Sequence, residues 1–237
     1  MSTNLSKFWI IILALIITSC NQNSNREDNS NPDSLEFFNG KNLTGWHIYN
    51  QGDTLSKWKV EDGVLICDPR GQGEFGDIIS DKEYGDFEMQ FEWKVKKGGN
   101  SGVLINVKED STYAATFATG LEMQLLDNAN AEPRHQVDST HWAGCLYSVA
   151  CVGSNSKPNP FGEWNKGKIR QSKGEVTFWL NDKITFQDSI NTEAFKLKVA
   201  NSNMKNYPAF GTYPKGKIAL QNHTDSVSFR NIRIQEL

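Results

Sequence analysis

From residue 86 to the C-terminus, apolar and polar residues alternate in short stretches separated by Gly, Asn, Asp and Pro, with no sustained helical periodicity. That pattern predicts an all-β chain. Residues 86–95 are the clearest strand, with Phe87, Met89, Phe91, Trp93 and Val95 on one face and charged residues on the other. After Lys96-Lys97-Gly98-Gly99-Asn100, residues 101–107 form a second strand, expected as its antiparallel neighbour. Residues 167–171 and 175–180 flank Ser172-Lys173-Gly174 as a hairpin, continued past Asn181-Asp182 by residues 184–186. In the last strand, residues 226–234, the apolar parity changes between Phe229 and Ile232, which predicts a bulge or burial on both sides.

Two strands carry polar chemistry. Over residues 119–127, Leu121, Met123 and Leu125 share one face while Glu122 and Gln124 share the other. Residues 217–223 repeat the arrangement, with Ile218 and Leu220 opposed to Gln221 and His223. Such a face either belongs to the solvated side of a sandwich or forms an exposed sheet surface that binds a polar ligand such as a sugar. Between the strands lies a long irregular region, residues 128–161; loops of that length in a compact domain usually carry function or are disordered. Many strands with loops gathered over one concave sheet make a jelly-roll or lectin-like plan.

The N-terminus adds an address. Lys7, an apolar run over residues 8–17 and Thr18-Ser19-Cys20 resemble a bacterial lipoprotein signal, with residues 1–20 ending at a lipidated Cys20. Residues 21–34, rich in Asn, Ser and acids, are expected as a disordered tether, leaving one domain over 35–237 in the cell envelope, held to the membrane by lipid alone. That domain keeps 23 basic and 25 acidic residues without a basic block, which argues against a nucleic-acid partner. Cys67, Cys145 and Cys151 allow at most one intrachain bridge, Cys145 and Cys151 being closest in sequence; three buried thiols are an equal alternative.

Six tryptophans remain in the domain. Trp93 reads as core and Trp46 as an edge closure. Trp179 leaves the apolar face of its strand and Trp142 and Trp164 lie in polar loops, so these three are candidate platforms for sugar rings. His135 and His141 read as surface or site-rim residues. No spacing of metal-binding type, no phosphate-binding glycine loop and no nucleophile elbow occurs, so carboxylate and imidazole acid–base work on a carbohydrate remains. No acidic loop is dense enough to support a structural Ca²⁺, and no other cofactor is expected.

Taken in order, the stretch from Phe38 to Trp46 (FNGKNLTGW), Asn100-Ser101-Gly102-Val103, residues 120–127 (GLEMQLLD), Gly162-Glu163-Trp164-Asn165, Phe178-Trp179-Leu180-Asn181, Gln221-Asn222-His223 and Phe229-Arg230-Asn231-Ile232 resemble the 3-keto-disaccharide hydrolase family across residues 35–237. The chain departs from the family at Leu121, where Pro is common, and at Asn222, where the family has Asp beside the histidine. The resemblance implies a concanavalin A-like jelly roll acting on glycosides oxidised to a ketone at C3. It implies Glu122 as the base that removes the C2 proton and His223 as acid or enolate partner, with those two roles exchangeable. Asn100, Gln124, Gln221 and Arg230 would orient the substrate. An ordinary glycosidase would instead need a second carboxylate, for which Asp127 and Glu163 are candidates. A noncatalytic glycan-binding lipoprotein would need only the aromatic platforms and amides.

Overall fold

The computed structural model describes residues 35–237; the lipid-anchor and tether assignments, Cys20 included, lie outside the described residues. The strands are β1 (Leu35–Glu36), β2 (Trp46–Ile48), β3 (Trp58–Glu61), β4 (Val64–Cys67), β5 (Ile78–Ser80), β6 (Phe87–Val95), β7 (Asn100–Val107) and β8 (Leu121–Leu126). A short helix α1 (Pro133–Gln136) interrupts the long loop, then follow β9 (Asn165–Ser172), β10 (Glu175–Leu180), β11 (Lys183–Ser189), α2 (Glu193–Ala200), β12 (Lys217–Leu220) and β13 (Val227–Glu236). They form two antiparallel sheets. One runs β11-β10-β9-β6-β13-β4-β3 with β1 also on β13, and the other runs β2-β5-β12-β7-β8.

The inner faces of both sheets build one apolar core. Phe87, Met89, Phe91, Trp93 and Val95 supply the β6 face, and Val103, Ile105, Leu121, Met123, Leu125, Ile218 and Leu220 meet them from the second sheet. Each such side chain is worth about 1.5–3 kcal/mol of burial. Period-2 alternation thus has its expected cause: alternate residues face the core and the rest face outward. The β9–β10 hairpin and the turn at Asn181-Asp182 are as the sequence predicts; Lys173, Asn181 and Asp182 take the positive φ angles that tight hairpin turns require. The parity change in β13 is a bulge, with a register shift between Arg230 and Arg233 and Asn231 at φ 53°.

One pairing differs from the sequence expectation. β6 and β7 are consecutive but not neighbours: β6 pairs with β9 and β13, whereas β7 crosses to the second sheet between β12 and β8. Every residue of β7 is buried, including Ser101, Gly102 and Asn106, so it is an inner strand covered on both faces. A strand packed that way cannot serve as the half-wet partner of a hairpin.

The outer face of the second sheet is not bare. Tyr49, Ile79, Leu104, Val107 and Ala219 form a small second cluster there, with Phe117 packed against it. Beside this cluster, the polar residues of β8 and of the chain following β12 open into a cleft.

Candidate active site

Glu122 and Gln124 point outward from β8, as alternation requires, yet both are buried, with only 5% and 1% exposure. The sequence reading of an exposed sheet face is therefore corrected. Loop segments close over the face. Residues 144–147 run along the free edge of β8, where Gln124 N donates to Cys145 O at 3.0 Å, Gly144 N to Gln124 O at 2.7 Å and Tyr147 N to Glu122 O at 3.0 Å. A Cys145–Cys151 disulfide ties this loop, and among the described residues Cys67 is the free thiol, buried and pushed up to about 12 by desolvation. From the other side, the turn Asn203–Asn206 after α2 places Asn203, Met204 and Asn206 on the rim, next to Tyr207.

The result is a cavity of about 390 Å³ lined by Asn100, Glu122, Gln124, Gln221 and His223, together with Phe117, Arg134, Tyr147 and the rim residues. Five of the sequence-selected residues therefore meet. Gly102 lies under the Glu122 carboxyl: a Cβ there would fall 2.3 Å from Oε1. Gln124 donates to Asn100 Oδ1 at 3.2 Å; with its amide turned over it donates instead to Glu122 Oε1 at 3.1 Å and Ser101 O at 3.2 Å. Gln221 is held by its backbone, N donating to Gly102 O at 2.9 Å and O accepting from Ser101 Oγ at 2.8 Å, which leaves its side chain for the cleft.

Electrostatics make Glu122 unusual. Burial, reinforced by the negative charge of Asp77, pushes its pKa up to about 8, against a lowering contribution from the Gln221 amide. Asp77 was not singled out from the sequence. It precedes β5, accepts a hydrogen bond from Thr116 Oγ1 on Oδ2 and one from Asn222 N on Oδ1 at 2.8 Å, and has its pKa raised by burial, with those donors and His223 opposing. Asp225 is likewise raised by burial, opposed by the Asn100 N–H and His223. Acids thus do stand near His223, Asp77 from the chain before β5 and Asp225 two residues further on, rather than at position 222. Carboxyl groups with raised affinity for protons around an imidazole can take up, hold and return protons near neutral pH.

Other sequence candidates lie elsewhere. Asp127 clips a turn, its Oδ2 accepting from Gly98 N at 2.9 Å and Asn130 Nδ2 at 2.8 Å. Trp142 donates its indole N–H to His135 O at 3.0 Å, fixing the long loop. Arg230, Trp164 and Trp179 belong to the outward side of the first sheet and Glu163 to the exposed loop before β9. There Arg230 pairs with Glu92 at 2.6 Å and stacks on Trp164 at 4.1 Å, while Lys168 covers Trp179 at 4.1 Å. His135 and His141 are buried rather than on the surface, because Pro133 starts a helical turn that folds the loop inward and stacks His141 on Tyr147 at 4.8 Å. Burial, with Arg134 and His141 nearby, pushes His135 down to about 4. Tyr147 and Arg134 escaped the sequence reading because nothing local marks a loop residue as facing a strand that precedes it.

Residues 33–235 match the 3-keto-alpha-glucoside-1,2-lyase-like domain. The chain belongs to that family. It is 33% identical over 228 residues to the 3-keto-disaccharide hydrolase of Bacteroides thetaiotaomicron, a match covering 86% of this chain and 78% of that protein. A crystal structure from Parabacteroides distasonis, provisionally assigned as a glycosyl hydrolase, superposes with a TM-score of 0.78 at 33% identity, covering 86% of this chain and 94% of the other. A second such structure from the same species has a TM-score of 0.65 at 22% identity, over 86% and 99%, and shares the fold. The protein is an all-β sandwich of jelly-roll type with a glycoside hydrolase-type function.

Proposed function

We propose that this chain cleaves glycosides carrying a ketone at C3 by removing the C2 proton and eliminating the C1 substituent, followed by addition of water. The observation that carries the reading is one buried carboxyl with a pKa near 8 on the floor of a cleft lined by amides and an imidazole. A C3 ketone acidifies C2–H, so a carboxylate of raised basicity is matched to the task. Glu122 accepts the proton, and the electron pair passes into an enolate whose oxygen is met by neutral donors from Asn100, Gln124 and Gln221. The pair then forms the C1–C2 double bond as the C1–O bond breaks, and His223 protonates the leaving oxygen. Water adding at C1, with proton return to C2, completes net hydrolysis. Arg134 and Tyr147 supply a cation and a hydroxyl on the facing wall.

The two-carboxylate alternative lacks support from its proposed partners. Asp127 is spent on a turn and Glu163 is remote, while both Asp77 oxygens already accept hydrogen bonds. Incubation with a 3-keto glucoside beside its unoxidised parent tests the reading: release of the aglycone from the ketone alone supports it, and equal release from both contradicts it. Attachment through a lipidated Cys20 belongs to the same proposal, motivated by the apolar run that ends there. Cys20→Ser should move the protein to the soluble fraction, and persistence in membranes would count against the anchor.

A further inference from the structure

The cleft belongs to the second sheet, and the outward face of the first sheet differs from the rest of the protein in charge. Cross-strand registers set β9, β6 and β13 side by side there, giving the rows Arg170–Glu88, Lys168–Gln90–Arg233 and Lys166–Glu92–Arg230, with Lys94 beyond them on β6. Directly paired residues share a face, so all of these side chains point outward. The three strands thus present six cations against two acids, in a domain where acids outnumber bases. Ion pairing uses only part of that charge: Arg230 meets Glu92 at 2.6 Å, Lys168 meets Glu88 at 3.8 Å and Lys166 leans to Asp182 at 3.9 Å. Among the described residues, no carboxylate stands within ion-pair distance of Lys94, Arg170 or Arg233.

We propose that this face is a second binding surface, separate from the cleft, for an acidic glycan: a chain of sugars bearing carboxylate or sulfate groups. Two half-buried tryptophans stand among the cations. Trp164 has Lys94 Nζ at 4.7 Å and Arg230 Cζ at 4.1 Å from its ring, and Trp179 has Lys168 Nζ at 4.1 Å. A cation–π contact at an exposed site is weak, so a lysine resting on the indole can swing to an acid group of the ligand. That movement uncovers the ring for the C–H face of the sugar carrying the acid. Charge spacing narrows the class further. Nucleic acid carries one charge per about 3.4 Å of strand, whereas successive cations on β9 are two residues, about 6.6–6.8 Å, apart. Glu88 and Glu92 interrupt the cations and would repel a dense polyanion. A sugar chain with one acid group per ring, or per pair of rings, fits the sparser array and passes the glutamates with hydroxyls that donate to them. A neutral glycan would use the rings and gain nothing from the unpaired cations.

Calorimetric titration of the wild-type protein with polygalacturonate, chondroitin sulfate, dextran, duplex DNA and anionic phospholipid vesicles tests the surface. At least one acidic glycan should bind, more weakly as salt rises, and dextran should not. Replacing Lys168 and Arg170 together by Ala should lower that affinity by roughly tenfold or more, as loss of two charge contacts does. Trp179→Ala should lower it by roughly 5–30-fold, the scale for losing an aromatic contact in a binding site. Turnover of methyl 3-keto-glucoside by the Lys168→Ala, Arg170→Ala protein should match the wild type, because neither side chain lines the cleft. Binding of polygalacturonate alone or of chondroitin sulfate alone supports the surface and identifies the acid group as carboxylate or sulfate. Absence of binding to both, or affinity unchanged by the substitutions, would overturn it. Dextran bound as tightly as the acidic chains would overturn the role of the cations. DNA or vesicles bound as tightly would overturn the glycan assignment and leave a plain basic face.

Discussion

The Glu122 carboxyl lies against Gly102, close enough that a single methyl group at position 102 would fall 2.3 Å from Oε1. Gly102 sits in β7 opposite Gln124, two ladder positions from the Leu104–Glu122 pair and on the same face, so the missing side chain leaves the space that the carboxyl fills. Gly102→Ala should push that group aside while leaving the sandwich folded. Turnover should fall by roughly tenfold to a hundredfold, since displacements near 1 Å at a reacting group have that effect. The melting free energy should drop by about 1–3 kcal/mol, the usual scale for overpacking. Unchanged kcat in a protein that folds normally would show that the carboxyl does not act from its observed place.

The pH dependence follows from the same burial. If Glu122 is the base, kcat/KM should climb with pH and level off above about 8, where the carboxylate dominates. A profile that instead falls through pH 8 would assign Glu122 as the acid. Stability should move in the opposite sense. Glu122 holds its proton more tightly folded than unfolded, so its contribution is fully present below about 4.5, the ordinary value, and is lost as pH rises to about 8. Glu122→Gln, which cannot ionise, should therefore gain on the wild type across that window, by an amount on the order of a few kcal/mol at its upper end. Denaturant melts at pH 5 and pH 9 measure the difference.

Asp77 tunes that value, because its negative charge is the second cause of the upward shift at Glu122. Asp77→Asn keeps the shape and an oxygen able to accept from Asn222 N or Thr116 Oγ1. Its pH–rate limb should move to lower pH than in the wild type. A limb that stays in place would uncouple the two acids.

Much of this was legible in the sequence. The strand β6, the β9–β10–β11 meander, the bulge in β13 and the outward pairing of Glu122 with Gln124 all follow from period-2 alternation, which side-chain geometry dictates locally. What alternation cannot say is what covers an outward face. The same signal that put Glu122 outward also put Trp179 outward, but residues 144–147 run along β8 beside Glu122, whereas Trp179 is covered by Lys168. Burial of Glu122, inward folding of His135 and His141, and the arrival of Asp77 beside His223 are long-range events, set by which strands share a sheet. The crossing of β7 to the second sheet is of the same kind.

That distinction is testable at the tryptophans. Trp164 and Trp179 lie with the first sheet, covered by Arg230 and Lys168, away from the cleft. Trp164→Ala and Trp179→Ala should keep kcat/KM for a 3-keto glycoside within about twofold, because neither ring contributes to the cleft that binds the reacting sugar. A loss of tenfold or more with the fold intact would place a substrate contact on that sheet after all.

Most directly, the account stands on where a proton goes. During turnover of a 3-keto glycoside in D₂O, the wild-type protein should place deuterium at C2 of the released sugar, and Glu122→Gln should lose turnover by roughly 10²–10⁴-fold while largely keeping substrate affinity. Mass spectrometry of the product, with NMR to locate the label and an incubation of the product alone to subtract background exchange, reads the outcome. A product bearing its original C2 hydrogen, formed at near-normal rate by Glu122→Gln, would contradict both the elimination and the residue that starts it.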